Sequence, residues 1–175
     1  MVLGRINAVL IAVLVGIPAF SESRISLGAN VLSIEAPEGF TAMAPDVRAR
    51  IFPEGGGPAY IFRKADENAT VTFDTLKQEY TKKDLGDIKA RSENSIASDK
   101  RPLRWVARET TKLQGHPCVH LEFVRTTEDG DVHEDQYYVL QGRAVSLLSF
   151  SGPEKEFGHL QPLFQKSRAS IRFAR

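Results

Sequence analysis

The chain has 175 residues, 26% charged and 42% hydrophobic, as expected of an ordinary globular protein, with a formal net charge of +1. So even a balance excludes general nucleic-acid binding, which needs a basic footprint to displace counterions from phosphates. Cys118 is the only cysteine, which excludes an intrachain disulfide and leaves stability to packing.

Residues 1–21 place one cation, Arg5, ahead of an apolar run from Ala8 to Ile17, with small residues following at Ala19 and Ser21. That order is expected of a secretory signal peptide cleaved after Ser21. The apolar run is about ten residues, half of the roughly twenty that span a bilayer, so no permanent membrane anchor is expected. No cysteine near the cleavage position offers a lipid attachment. The expected product is periplasmic or secreted. Residues 22–175, about 155 in all, suit one domain with a good core.

Along that part, "NVLSIEAPEGF" alternates Leu32, Ile34 and Ala36 against Val31, Ser33 and Glu35, as a half-buried strand does, and ends at Pro37. "IFPEGGGPAYIF" sets three glycines and two prolines between apolar pairs, which predicts a flexible turn between extended segments. Phe52 and Tyr60 flank that turn and are candidate contact residues for a partner, because aromatics bury much area with few rotatable bonds. "ATVTFDTL" predicts a strand from its β-branched residues. From Thr81, Leu85, Ile88, Ser92 and Ile96 fall three and four apart, the spacing of an amphipathic helix that must end before Pro102. "LRWVARETTKLQG", "HPCVHLEFVRTT", "VHEDQYYVLQG" and "RAVSLLSFSG" follow, joined by short glycine-containing links, and predict an antiparallel meander. After Gly152, Pro153, Glu154 and Glu156 open a helix with Phe157, Leu160 and Phe164 on one side; Pro162 predicts either a kink or a second start. "SIRFA" can add a short edge strand. Strands, helix, meander and helix imply an α+β fold, an antiparallel sheet packed between helices.

"LSIEAPEGF", the mid-chain helix and "YYVLQGRAVSLLSFSGPEKEF" followed by a helix and "ASIRF" resemble the Mog1/PsbP-like group, including its DcrB-type exported bacterial members. The resemblance covers nearly all of residues 22–175. It implies that same fold and roles in assisting or binding other proteins, and it supplies no active-site residues.

The densest charged stretch is "RTTEDGDVHED", where Asp129, Asp131, His133 and Asp135 fall at alternate positions. A calcium loop needs glycine at its sixth position and glutamate at its twelfth; Glu134 and Leu140 stand there. A two-residue Asp129-Gly130 hairpin turn explains the glycine better and pairs Arg125 with Glu134, Thr126 with His133 and Glu122 with Tyr137. In that register His120 faces Val139 and His133 lies near the far tip. His116 and His120 are about 13 Å apart in one strand, so no zinc site is expected. Cys118 and His120 share a face, but at about 7 Å between Cα atoms with parallel side chains they are poorly placed as a thiolate–imidazole pair; Cys118 is expected to be a small buried hydrophobe. No G-x-S-x-G elbow occurs, Gly55–Gly57 lacks the phosphate-loop order, and Asn68-Ala69-Thr70 is a glycosylation sequon too short to carry weight.

What remains is one polar patch, His120, Glu122 and Tyr137. The sequence therefore predicts an exported non-catalytic domain that binds a protein of the envelope or of the exported set, or assists assembly or uptake there, without cofactor or metal. The alternative is a small-ligand carrier or enzyme centred on His120, Glu122 and Tyr137.

Overall fold

The computed structural model describes residues 24–27, 32–54, 56–76 and 79–174. The expected leader and its cleavage position lie outside the described residues. In chain order the elements are β1 (Arg24–Leu27), β2 (Leu32–Glu35), β3 (Thr41–Ala42), α1 (Pro45–Ile51), β4 (Tyr60–Lys64), β5 (Ala69–Thr75), α2 (Leu85–Ser98), β6 (Leu103–Leu113), β7 (His116–Thr127), β8 (Gly130–Gln141), β9 (Ala144–Pro153), α3 (Glu154–Ala169) and β10 (Arg172–Phe173). Seven strands form one antiparallel sheet in the order β3-β4-β5-β9-β8-β7-β6, so the expected meander is its larger half.

Both faces of the meander are covered. Tyr137, Val139, Leu148 and Phe150 belong to the core under α3, with Phe157, Leu160 and Phe164 of that helix. The alternate residues Val119, Leu121, Tyr138 and Leu140 meet Leu85 and Ile88 of α2 on the other face. This is the α+β sandwich of sheet and helices that the alternation implies. β1, β2 and β10 form a separate three-stranded sheet. The Ser167 hydroxyl of α3 donates to the Glu35 carbonyl at 2.5 Å, and the Glu35 N–H donates to the Ser170 hydroxyl at 2.8 Å, which fastens that sheet to the end of α3.

Three expectations are corrected. The segment before the glycine turn is helical, not extended: Pro45 stands in the first turn of α1 with Asp46, and Arg48 and Arg50 in the last, which complements the helix dipole. The β7–β8 hairpin turns at Glu128-Asp129, with Thr127 opposite Gly130, and positive φ falls on Gly130 alone. A type I′ turn needs positive φ at both central residues, which Glu128 does not adopt. The pairing is therefore shifted by two from the expected one. Arg125 lies opposite Val132 and, instead of meeting Glu134, approaches Asp99 at 3.1 Å and donates to the Ile96 carbonyl at 2.7 Å at the end of α2. Third, α3 is one helix through Pro162. The lost N–H bond is outweighed by the buried side of the helix, where Phe157, Leu160 and Phe164 are held on both sides of the proline.

Leu160 is fully buried, and a Cβ on Gly152 would stand 2.6 Å from its Cδ1. α3 thus sits against the bare backbone of β9. Leu160→Ala is expected to cost about 2–5 kcal/mol and Gly152→Ala about 1–3 kcal/mol by overpacking. Urea denaturation checks both, and a Gly152→Ala variant as stable as the wild type contradicts the close approach.

Candidate functional site

Strand alternation sends every second side chain of β7 and β8 toward α3. The observed register sets His120 opposite Tyr137, Glu122 opposite Asp135 and Val124 opposite His133. α3 packs over these residues and brings Glu154 and Phe157 at its start and Arg168 in its last turn.

Asp135 is the centre of one half of the cluster and is only 7% exposed. Its Oδ1 is 2.8 Å from His120 Nε2. Its Oδ2 accepts from Arg168 Nη1 at 2.9 Å and from the Tyr137 hydroxyl at 3.2 Å, and Arg168 also donates to the Tyr137 oxygen. The other nitrogen of His120, Nδ1, is 3.3 Å from Glu109 Oε1 on β6. The His120 ring stacks on Tyr137 with centroids 4.6 Å apart. In the second half, His133 Nε2 is 2.8 Å from Glu122 Oε1 and its Nδ1 2.6 Å from Glu154 Oε2. Its ring lies flat on Phe157 at 3.6 Å, and Arg104 of β6 donates to Glu154 at 2.7 Å.

Each imidazole therefore has a carboxylate oxygen at both nitrogens. A neutral ring can donate from only one of them, whereas an imidazolium satisfies both. Burial by itself lowers the pKa of both histidines, but the carboxylates outweigh it: Asp135, Glu109 and Glu122 raise His120, and Glu122 and Glu154 raise His133. The hydrogen bond from His133 holds Glu122 below the usual carboxylate range. Burial, with the Asp135 charge, raises Tyr137 above its ordinary value and keeps it a neutral donor.

Cys118 shares this face but is fully buried, and its thiol is pushed up to about 12 by burial, helped by Asp135 and Glu109. Both His120 nitrogens already face carboxylates, so the geometry supplies no base for a Cys118 nucleophile.

The structure brings His120, Glu122 and Tyr137 together, as expected, and adds Asp135, His133, Arg168, Glu109 and Glu154. His133 had been expected near the far tip; the two-residue register shift places it beside Glu122 instead. One donor atom from each of His120, Glu122 and Asp135 lies within 4.8 Å of the others. Asp131 remains part of the hairpin tip, accepting from the Thr126 hydroxyl at 2.7 Å. Phe52 and Tyr60 lie apart from the cluster. Tyr60 opens β4, with β5 and β9 between it and β8, and its ring packs 5.8 Å from Phe73; the Phe52 ring lies where a Cβ on Gly57 would be, 2.6 Å away. A cavity of about 130 Å³ opens between the cluster and α3, lined also by Gln161 and Gln165.

No protein-family model and no curated protein matches the chain in sequence. Solved structures do match in shape. The cyanobacterial PsbP protein CyanoP from Synechocystis sp. PCC 6803 superposes with a TM-score of 0.63 at 16% identity, over 87% of this chain and 92% of that one. LpqN of Mycobacterium tuberculosis, described as involved in cell envelope biogenesis, gives 0.62 at 11% identity over 87% and 90%. A putative regulator of unknown function from Pseudomonas aeruginosa gives 0.51 at 15% identity over 69% and 77%. The chain has the Mog1/PsbP-like fold.

The cluster makes stability depend on pH. The raised histidines stabilise the fold fully below their unfolded pKa of about 6.5, and that contribution is lost as pH rises through their folded values. The depressed Glu122 acts in the opposite sense: its contribution is present above about pH 4.5 and lost as pH falls through its folded value. In chelator-treated protein the melting temperature is expected to be highest between roughly pH 4.5 and 6.5 and to fall on the alkaline side. His133→Gln should flatten the alkaline fall. A wild-type profile that rises through pH 8 contradicts the doubly bonded imidazolium.

Proposed function

We propose that the chain is a non-catalytic accessory domain, exported and acting at the cell envelope by binding another protein. The observation that carries this reading is the self-saturation of the charged cluster. Every ionisable group in it is bonded to another, Cys118 is sealed, and the side chains bridge β6, β7, β8 and α3 instead of converging on a place for a reacting carbon. Such a network serves shape and rigidity. The fold it shares with LpqN and CyanoP supports the reading, as does the absence among the described residues of any helix long and apolar enough to cross a membrane.

The competing reading, a small-ligand carrier or enzyme on His120, Glu122 and Tyr137, needs a pocket. Ligand pockets run to about 300–1,000 Å³, and the cavity at these residues holds about 130 Å³. The largest concavity described, about 540 Å³, lies elsewhere, along Tyr80, His116 and Arg143.

The partner surface we assign is α1 and the glycine turn that follows. α1 has no buried residue, and Ile51 at its end is 50% exposed beside Phe52. A helix held out from a sheet edge with an apolar end suits a contact site. Tyr60, half-buried, packs against the core and on Phe73. The test is crosslinking of the full chain in its native host. Ile51→Asp with Phe52→Ala should shift stability by only about 1 kcal/mol and reduce capture of the partner at least several-fold. Undiminished capture by the folded variant removes this surface from the reading.

A further inference from the structure

We propose that His120, Glu122 and Asp135 form a binding site for one divalent first-row transition ion of the zinc or manganese kind. The geometry points to it because each of the three turns one donor atom inward while its other polar atom is anchored. His120 Nε2 faces Asp135 Oδ1 at 2.8 Å and Glu122 Oε2 at 4.0 Å. Behind them, Glu109 holds His120 Nδ1, His133 holds Glu122 Oε1, and Arg168 with Tyr137 holds Asp135 Oδ2. Outer partners of this kind fix ring and carboxylate orientation in metal sites.

The spacing fits as well. Ion–ligand bonds of about 2.0–2.2 Å set tetrahedral ligand atoms about 3.4 Å apart, and the observed 2.8 and 4.0 Å bracket that value. Only small side-chain rotations separate the two arrangements. The ligands sit on adjacent strands in mid-sheet, where the backbone is rigid. One imidazole and two carboxylates suit zinc or manganese, whereas calcium and magnesium take oxygen ligands throughout. The cavity of about 130 Å³ beside them has room for the waters that complete the shell, each needing about 30 Å³. Arg168 brings positive charge to the far side of Asp135 and lowers the affinity, and Glu109 offsets part of that loss.

The experiment is calorimetric titration of the chelator-treated full chain with zinc chloride, paired with the visible spectrum of the cobalt-loaded protein. One ion per chain is expected to bind. Binding should be lost in His120→Gln and in Glu122→Gln, and weakened about 10–100-fold in Glu109→Gln, whose role is positioning. The Glu109 side chain is 60% exposed, so that variant folds even if the other two do not. A His116→Ala, His159→Ala double variant should bind as the wild type does, because neither residue belongs to the site. Absence of saturable heat at millimolar zinc overturns the proposal. So does unchanged affinity in folded Glu109→Gln and Glu122→Gln, or loss of binding in the double variant, which assigns the ion to the surface histidines.

Discussion

A carboxylate that is almost wholly withdrawn from water must be compensated on every side, and Asp135 imposes that demand on this fold. Left alone, a buried charge is costly enough that the group takes up a proton instead. Asp135 draws Arg168 from the last turn of α3, the Tyr137 hydroxyl two residues along its own strand, and His120 from the neighbouring strand. Those partners set the placement of α3 at its C-terminal end. His133 performs the matching task at the N-terminal end through Glu154. The helix is thus tied at both ends to one strand, and the three aromatic and aliphatic anchors between are pressed onto β8 and β9.

This accounts for how α3 survives Pro162. A proline in a helix interior removes a hydrogen bond and crowds the preceding turn, a cost of about 3 kcal/mol in isolation. Here the residue four back is Gly158, exposed and without a side chain to add to the crowding. Burial of Phe157, Leu160 and Phe164 and the polar ties at either end together exceed that cost. Local propensity points to a break, and tertiary packing removes it.

The sequence makes the faces of the meander legible and leaves its register open. Alternation decides that His120, Glu122 and Tyr137 point the same way, and a shift of two residues leaves that result intact because the side-chain period is two. The turn decides which residues are neighbours, and there the Asp-Gly pair misleads. Gly130 does take positive φ, but from the last position of the turn, with Glu128 and Asp129 as its centre. Two residues of slip move His133 from the tip to the middle of the cluster and exchange Tyr137 for Asp135 as the neighbour of Glu122. Arg168 is beyond such reasoning altogether, since its contact depends on where a helix lands after a hairpin and a turn. The short helix α1 was within reach: Pro45 and Asp46 followed by two arginines is a helix-opening and helix-closing pattern, hidden by the glycines that follow.

The two roles assigned to this protein fall on separate parts of the sheet, and their separation has a physical basis. The charged cluster lies where both faces of the sheet are covered, so any ion held there acts on a part of the fold that is already rigid. α1 lies between β3 and β4 at the far edge, and its Arg48 donates to the Pro58 carbonyl at 2.9 Å, just ahead of β4, whose Ile61 and Phe62 are buried. Energy gained at the cluster stiffens the seat of α3 and, through Ser167 and Ser170, the small sheet of β1, β2 and β10. Between the cluster and α1 lie β9 and β5, which contribute the apolar side chains Leu148, Phe150 and Val71 to the core under α3. The proposed ion at His120, Glu122 and Asp135 would act first on the seat of α3, with β9 and β5 between it and the proposed partner surface.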